Sequence, residues 1–377
     1  MKFVAFYLPQ YHQIPENDEW WGKGFTEWFN VKNAKPLFKN HNQPEQPYNY
    51  DYYDLLDPEV MRNQSQLALK YGVDAFCYYH YWFDGKLLLE KPLENMLNDK
   101  TIKISFCFCW ANESWARTWD GHDTNYLIKQ NYEESKDKII QHYEYVSQFF
   151  KDDRYLKEDN KPIIIIYKPH LIKNINDMVS IWNTMAIADG FDGLYWGYQH
   201  PSAFEYIDKL TDFNFGIEFE PLYTDYLIEG HRAHIHGIRR LLYGMYHPLW
   251  LLKKIKKRIM KLPSIRDYDE IWHLIIDRHP VTQNIFAGAF PSWDNTPRKA
   301  ERGIVYFGAS PKKFEEYLSK QIKHAKKEYK NEYLFINAWN EWGEGAHLEP
   351  DHKNRMQYLE ALERAKIENI ENNSEWF

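Results

Sequence analysis

The chain has 377 residues, and 47 basic against 54 acidic side chains give it a net charge of −7 at pH 7. This charge argues against nucleic acid as the main partner, and the length suits one large domain or two ordinary ones. Aromatic residues make up 18% of the sequence, with 15 Trp and 29 Tyr. Rings with a polar tip suit a ligand that has both apolar and hydroxylated faces, as sugars do.

The N-terminal stretch MKFVAFYLPQYHQ has an apolar segment too short for a signal peptide, and we predict that it forms a first core strand. No stretch approaches the ~20 apolar residues of a membrane span. The three cysteines, Cys77, Cys107 and Cys109, lie in apolar runs, which predicts buried free thiols rather than a disulfide framework. We therefore expect the protein to stay in the cytoplasm.

Short apolar segments alternate with helical ones along the chain. The predicted strands cover residues 3–9, 73–82, 103–114, 161–170, 191–199, 213–221, 281–298 and 331–345. Helical patterns cover 58–71, 132–150 and 311–329. Apolar strands that alternate with helices indicate a parallel sheet covered on both faces. Eight such units predict an α/β fold of the (β/α)8 TIM barrel type, formed as a single domain over 1–377.

A doubly wound open sheet is the structural alternative, but no G-x-G-x-x-G motif follows the first strand. A barrel predicts polar and aromatic clusters at the carboxyl ends of its strands, where barrel active sites lie. Such clusters follow all eight predicted strands, in the order PQYH, YYHYWFDG, WANESWARTWDG, KPH, GYQH, EFEP, PSWDNTPR and NEWGEG. We therefore expect the functional site at this end of the barrel.

One segment differs in charge from the rest, because residues 230–266 contain no Asp or Glu. We predict a basic, helical insertion within 224–280, between the sixth and seventh strands, which Pro248 divides into two pieces. A basic amphipathic stretch suits an anionic membrane surface, so 238–262 is predicted to make peripheral contact with the inner face of the plasma membrane. A solvated, partly buried helical insertion is the alternative.

The turn after the last strand, FINAWNEWGEGAHLEPD, places Glu341 and Glu344 three residues apart. In a helical turn their side chains would share one face, with Cβ atoms about 5–6 Å apart. Two carboxyl groups roughly 5–5.5 Å apart are what a retaining glycosidase requires. Two solvated loop carboxylates are the alternative for so common a pair. The flanking residues that favour a site are Trp339, Asn340 and Trp342.

Two further clusters contain candidate catalytic and substrate-binding residues. In WANESWARTWDG, Asn112 and Glu113 follow a predicted strand in the manner of an acid/base position, and a rim loop over the barrel mouth is the alternative. Its stacking surfaces and its cation are Trp110, Trp115, Trp119 and Arg117. In PSWDNTPR, Asp294 and Asn295 offer hydrogen bonds, and Arg298 suits a phosphate or a carboxylate.

Four histidines, His12, His80, His170 and His200, each follow or end a strand, but they lack the spacing of metal ligands. Hydrogen bonding to sugar hydroxyls and a purely structural role are the two interpretations. No Ser-His-Asp signature, Walker loop or zinc spacing is present, so we expect no metal and no cofactor.

The motifs FYLPQYHQIPENDEWWGKGFTEWFNVKNAKPLFKNHNQP, CYYHYWF, WANESWARTWDG, PSWDNTPR and NAWNEWGEGAHLEPD together resemble those of the WbsX family. These bacterial proteins are tied to lipopolysaccharide and other surface-polysaccharide biosynthesis and are usually described as glycosyltransferases. They are similar to glycoside hydrolase family 99, the endo-α-mannosidases. The resemblance covers residue 3 to about residue 365, except the basic insertion near 230–275.

This resemblance implies a retaining (β/α)8 barrel in which Glu341 is the base toward a sugar 2-hydroxyl, giving an anhydro-sugar intermediate, and Glu344 is the general acid/base. It implies a glycosyltransferase of lipopolysaccharide, O-antigen or capsule biosynthesis, with a sugar nucleotide as donor substrate and a carbohydrate or lipid-linked glycan as acceptor. A retaining endo-α-glycosidase or transglycosidase and a non-catalytic carbohydrate-binding barrel are the alternatives. The further residues predicted to bind substrate are Tyr7, Gln10, Tyr11, His12, Trp28, Tyr79, His80, Trp82, Lys168, His200, Glu218, Glu220 and Trp293.

Overall fold

Eight parallel strands close into a barrel in the computed structural model, which describes residues 1–48, 51–116, 126–200, 212–228, 262–282 and 284–371. The barrel strands are β1 (Lys2–Tyr7), β2 (Ala75–Phe83), β3 (Ser105–Trp110), β4 (Lys161–Ile166), β5 (Tyr195–His200), β6 (Phe215–Glu218), β7 (Ile285–Ala289) and β8 (Tyr333–Ile336). Each strand pairs in parallel with the next in the chain, and β8 pairs with β1. The predicted (β/α)8 barrel is therefore confirmed.

Helices cover the outside of the barrel and the loops at its ends. They are α1 (Pro15–Trp21), α2 (Trp28–Asn33), α3 (Pro58–Lys70), α4 (Lys91–Asn98), α5 (Lys136–Phe150), α6 (Ile175–Ala188), α7 (Tyr268–Ile276), α8 (Thr296–Lys299), α9 (Pro311–His324) and α10 (Gln357–Glu371). Local sequence starts several of them. The Asp57 side chain accepts a hydrogen bond from the first turn of α3, and Ser135 and Ser310 do the same for α5 and α9. The helices predicted at 58–71, 132–150 and 311–329 correspond to α3, α5 and α9.

Short strands and turns decorate the loops. The strand pairs are Lys86–Leu88 with β2, Lys157–Glu158 with β4, Trp115–Ala116 with Tyr126–Ile128, Ser264–Asp267 with Ile304–Phe307, and Asn340–Glu341 with Ala346–His347. The short helical turns are Pro169–Leu171, Ala300–Arg302, Ala325–Tyr329 and Trp342–Glu344. Several predicted strands were too long, because their polar ends belong to these loops: the segment 281–298 contains β7 and then α8.

Aromatic side chains fill the barrel interior toward the carboxyl ends of the strands. The ring centroid of Phe6 in β1 lies 5.1 Å from that of Phe219 and 5.8 Å from that of Phe335 in β8. The three cysteines are free and buried in β2 and β3, as predicted. This packed interior supports the loops that follow the strands.

The predicted basic insertion lies mostly outside the described residues. The described parts of 224–280 include the helical residues 224–228, the short strand Ser264–Asp267 and α7. Of the range predicted to contact a membrane, 238–262, only Leu262 is described, so that contact stays a prediction. Within the described ranges, no helix combines the length and hydropathy needed to cross a bilayer.

A buried ion cluster joins β6 to the helical layer. The Arg278 guanidinium donates to Glu218 at 2.5 Å and to Glu220 at 2.7 Å, and both carboxylates are fully buried. The Tyr329 hydroxyl donates to Glu218 at 2.5 Å. Burial raises the pKa of Glu220, an effect that Arg278 opposes. Glu218 and Glu220, which were predicted to bind substrate, therefore serve packing outside the barrel.

We predict that Arg278→Met destabilises the fold by about 3–5 kcal/mol, because it leaves two buried carboxyl groups without their counter-ion. Lys323→Met is the control, since the ion pair between Lys323 and Glu368 is half exposed and should contribute less than about 1 kcal/mol. Urea denaturation measures both variants. Equal losses of unfolding free energy would contradict the buried role of Arg278.

Candidate active site

A cleft of about 420 Å³ opens at the carboxyl ends of the barrel strands. Its aromatic walls are Trp21, Phe25, Tyr79, Tyr81, Trp115, Tyr167 and Phe219. Its carboxylates are Glu27, Glu113, Glu341 and Glu344. Aromatic faces beside carboxylates are the surroundings that a sugar ring requires, because its C–H faces stack and its hydroxyls donate hydrogen bonds.

The turn after β8 brings Glu341 and Glu344 together. Asn340 and Glu341 form a short strand, residues 342–344 form one helical turn, and Gly345 then adopts a left-handed φ of 58°. A side chain at Gly345 would meet Asp294, whose Cβ and backbone nitrogen lie 2.9 Å from the position of a Cβ. Both glutamates face the cleft as a result.

Arg298 lies between the two glutamates. Its Nη2 is 2.7 Å from Glu341 Oε1, and its Nη1 is 3.0 Å from Glu344 Oε1. Its Nε donates to Glu27 Oε1 at 2.6 Å. The sequence offered Arg298 as a ligand for phosphate or carboxylate, and the structure gives it three carboxylates of the protein itself.

Asp294 holds the loop that carries Arg298. One carboxylate oxygen accepts from the backbone and hydroxyl of Thr296 at the start of α8, and the other accepts from His41 at 2.6 Å and Gln43 at 2.7 Å. The Asp294 backbone N–H donates to the Glu344 carbonyl at 2.7 Å. Asp294 therefore ties three loops together behind the cleft and does not line it.

Three carboxyl groups, those of Glu27, Glu341 and Glu344, surround the single cation Arg298. Their surroundings determine which of these groups are ionised. Burial raises the pKa of Glu341 to about 8; Arg298 opposes the rise, while the charges of Glu344 and Glu27 add to it. Burial alone would lower the pKa of Arg298, but the three carboxylates raise it well above its ordinary value. Glu341 thus holds a proton at neutral pH in the free protein, and Arg298 stays charged.

A second charged pair lies across the cleft. Lys168 forms an ion pair with Glu113, whose side chain is 43% exposed. Asn112 fixes the backbone beneath this pair, since its amide exchanges two hydrogen bonds with the main chain of Lys168. Burial raises the pKa of Tyr167, and the charges of Glu113 and Glu344 add to the effect. Tyr167 therefore lies between the two acidic sides of the cleft and stays neutral.

The alternation of β2 decides which of its predicted ligands reach the cleft. Tyr79 and Tyr81 point into the barrel mouth and line the cleft. His80 and Trp82 point the opposite way: His80 contacts His142 of α5 at 2.9 Å, and Trp82 stacks on the same ring. Other predicted ligands with partners in the helical layer are Tyr7, Trp110, Glu218 and Glu220.

A group of buried side chains supports the turn after β8 on the side away from the cleft. The Tyr11 hydroxyl donates to the Asn340 carbonyl at 2.9 Å and accepts from the Trp342 backbone N–H at 3.1 Å. The Trp28 indole donates to the Tyr53 carbonyl at 2.7 Å. Further predicted ligands buried in the surrounding loops are His12, Trp293, Asn295 and Trp339.

The predicted site residues that do line the cleft are Gln10, Tyr79, Glu113, Trp115, Arg298, Glu341 and Glu344. Arg117, Trp119 and the side chain of His200 lie outside the described residues. Among the described side chains, no group of His, Cys, Asp and Glu is arranged to hold a metal ion.

Sequence reasoning missed several cleft residues. Tyr81, Phe219 and Gln199 are each two residues from another inward-facing position, so strict alternation would have found them. Glu27 had a weaker signal. It lies beside Trp28 in the motif GFTEWF, and nothing in that spacing indicates a partner in the loop after β7.

We predict that Gly343→Ala disturbs the site while the barrel stays folded. A Cβ at this position would lie 2.5 Å from Glu27 Oε1 and 2.7 Å from Arg298 Nε, so the ion pair must shift. A crystal structure of the variant measures that shift. Gly190→Ala is a control for backbone strain without a steric contact, because its φ of 94° disfavours a side chain while its Cβ would meet no atom within 4 Å; Arg298 should not move in it. An undisturbed Arg298 in Gly343→Ala would contradict this close packing.

Comparison with known proteins adds two findings. Residues 3–362 match the family described as "Glycosyltransferase WbsX". The chain is 37% and 36% identical over 365 residues to two proteins named "Uncharacterized protein WxcX", from two strains of Xanthomonas campestris pv. campestris. These matches cover 96% of this chain but 49% of each relative, so the chain spans about half the length of the curated relatives it matches.

Solved structures share the fold at low sequence identity. The endo-α-mannosidase of glycoside hydrolase family 99 from Bacteroides thetaiotaomicron superposes with a TM-score of 0.55 at 12% identity, covering 99% of this chain and 98% of its own. A protein described as "Glycoside hydrolase-like protein" gives a TM-score of 0.55 at 15% identity, with 97% and 93% covered. These likenesses establish the (β/α)8 architecture.

Proposed function

Because the chain belongs to the WbsX glycosyltransferase family, we propose that it is an enzyme that transfers a glycosyl group with retention of configuration during assembly of a cell-surface polysaccharide. The observation that carries this proposal is the convergence of Glu341 and Glu344 on one guanidinium in an aromatic-walled cleft. Family and fold both support a carbohydrate-processing enzyme. A non-catalytic barrel would not require two acidic groups that converge on one cation and both line the cleft.

In the proposed reaction, Glu341 removes the proton of the 2-hydroxyl as the sugar's O2 attacks its own anomeric carbon. The pair of glutamates holds one proton, which in the reactive state lies on Glu344 while Glu341 is ionised. The bond from the anomeric carbon to the leaving group breaks, and Glu344 gives this proton to the departing oxygen. An acceptor hydroxyl then attacks the anomeric carbon, Glu344 takes the proton of that hydroxyl, and Glu341 returns a proton to O2. Two inversions at one carbon give net retention.

The buried position of Glu341 suits the role of base. A carboxylate with an ordinary pKa is too weak a base for a sugar hydroxyl, and catalysis is most effective when the pKa lies near the operating pH. Burial raises the pKa of Glu341 toward the operating pH, and the charges of Glu344 and Glu27 add to the rise. Arg298 opposes it and stabilises the ionised carboxylate.

The proposed donor is a sugar nucleotide, and the proposed acceptor is a carbohydrate or a lipid-linked glycan. A retaining endo-α-glycosidase or transglycosidase is the second candidate, and one observation favours it. Arg298 is already paired with three carboxylates and is not available for a diphosphate. Of the cations that line the described cleft, Lys299 is exposed at its mouth and remains for that purpose.

Donor turnover separates the two candidates. The purified protein is incubated with a panel of sugar nucleotides and an oligosaccharide acceptor, and mass spectrometry follows both. A transferase consumes a nucleotide donor and extends the acceptor. A glycosidase releases reducing ends from an α-linked glycan without any donor, and this outcome would replace the transferase assignment.

We predict that Glu344→Gln lowers kcat/KM at least ~100-fold, because it removes proton transfer at the glycosidic oxygen. Glu341→Gln has an effect of similar size. Both variants should keep the melting temperature of the parent within a few degrees, since each replacement preserves the shape of the side chain. Full activity in a folded Glu344→Gln variant would refute its assigned role.

The pKa of Glu341 makes a prediction about pH. The proposed reaction needs one proton on the pair, carried by Glu344 while Glu341 is ionised. The pair loses this proton as the pH rises through the Glu341 pKa of about 8, so kcat/KM should fall to half its maximum near pH 8. A pH–rate profile under subsaturating substrate measures this. A rise in kcat/KM across the same range would mean that the reaction needs no proton on the pair, and would refute Glu344 as the general acid.

A further inference from the structure

We infer that Glu27 is a positioning residue for the proposed glycosyl transfer, and that it holds Arg298 in the orientation that pairs Glu341 with Glu344. This inference rests on the proposed function for its kinetic consequence. Its structural basis is independent of that function. Glu27 comes from the loop after β1, whereas Arg298 follows β7 and the two glutamates follow β8, so three loops meet at one guanidinium.

The guanidinium is planar and rigid, and each of its nitrogens is assigned to one carboxylate. Nε donates to Glu27, while Nη2 and Nη1 contact Glu341 and Glu344. Because the three nitrogens share one plane, fixing Nε also fixes the directions of both Nη groups. Removing the contact at Nε would leave the end of the arginine side chain free to turn between the two glutamates.

Glu27 itself has a fixed position. It directly precedes α2, and it is 3% exposed. The next residue, Trp28, packs its ring 4.1 Å from that of Tyr11 and 5.8 Å from that of Trp342, and its indole is hydrogen-bonded to the main chain. The carboxylate is therefore anchored by aromatic packing that also supports the catalytic turn.

The ion pair between Glu27 and Arg298 packs closely against the turn after β8. A Cβ at Gly343 would lie 2.5 Å from Glu27 Oε1, 2.7 Å from Arg298 Nε and 3.0 Å from its Cζ. The ion pair between Glu27 and Arg298 thus lies directly against the backbone that separates Glu341 from Glu344. The absence of a side chain at residue 343 is what admits Arg298 between them.

Glu27 also contributes charge. Burial is the main reason for the raised pKa of Glu341, Arg298 opposes it, and the charges of Glu344 and then Glu27 add to it. The other titratable groups near Glu341 are the hydroxyls of Tyr11, Tyr79 and Tyr81, each with a pKa raised above its ordinary value by burial, so they remain neutral. Removing the charge of Glu27 should therefore lower the pKa of Glu341.

The test compares Glu27→Gln with Glu27→Asp and with Asp152→Asn. Asp152 is a buried carboxylate paired with Arg154 and lies outside the cleft, so it is a matched control for the loss of an ion pair. Kinetics are measured across the pH range, and kcat is compared at the pH optimum of each variant. Melting temperatures establish that each variant is folded.

For Glu27→Gln we expect kcat to fall about 10- to 100-fold with KM changed less than about threefold, because the catalytic groups are misplaced while the cleft walls remain. The midpoint of the kcat/KM profile should move to lower pH. Glu27→Asp should recover part of the parent's kcat and have a pH midpoint close to that of the parent, since aspartate restores the negative charge on a side chain one methylene shorter. Asp152→Asn should leave both unchanged.

Carbon-13 NMR of the glutamate carboxyl groups provides a readout that needs no substrate. The Glu341 resonance is assigned by its loss in Glu341→Gln, and its titration midpoint should be lower in Glu27→Gln than in the parent. An unchanged midpoint together with unchanged kcat in a folded Glu27→Gln variant would overturn the inference. A shifted midpoint in a protein without glycosyl transfer would refute the proposed function alone.

Discussion

The contact of one guanidinium with three carboxylates organises this site. Arg298 joins the loops after β1, β7 and β8, which approach one another only because the barrel closes. Burial raises the pKa of Glu341 to about 8, Arg298 opposes the rise, and the charges of Glu344 and Glu27 add to it, so the site keeps a proton on Glu341 near neutral pH. The contact with Arg298 therefore has two effects: it fixes the positions of Glu341 and Glu344, and it changes the pKa of Glu341.

Hydrogen bonds from the surrounding loops hold Arg298 and its three carboxylate partners in place. Asp294 ties its own loop to the catalytic turn and to the segment around His41 and Gln43, and Tyr11 holds the turn from beneath. These hydrogen bonds are made within the protein and leave the cleft face of the turn to the two glutamates. The aromatic walls complete a surface that suits the apolar faces of sugar rings. The charged groups of the cleft are therefore held in fixed positions by the protein, which is the arrangement called electrostatic preorganisation.

Much of the fold was predictable because it depends on local patterns. Eight apolar segments, each followed by a polar cluster, indicated a barrel and located the functional end, and the motif around residues 341–345 indicated the catalytic turn. The individual ligands were less predictable. His80 and Trp82 were chosen by residue type, although the two-residue period of a strand places them opposite Tyr79 and Tyr81. Glu27 had only a weak signal, since its partner Arg298 is 271 residues away along the chain.

The central claim is that Glu341 and Glu344 act on one anomeric carbon through two successive displacements. Proton NMR of the first-formed product measures this most directly, by comparing the anomeric configuration of the new linkage with that of the glycosyl group consumed. Our account predicts that the configuration is retained in the first-formed product. An inverted product would contradict it, because a single displacement by an activated acceptor requires a different arrangement of the two carboxylates.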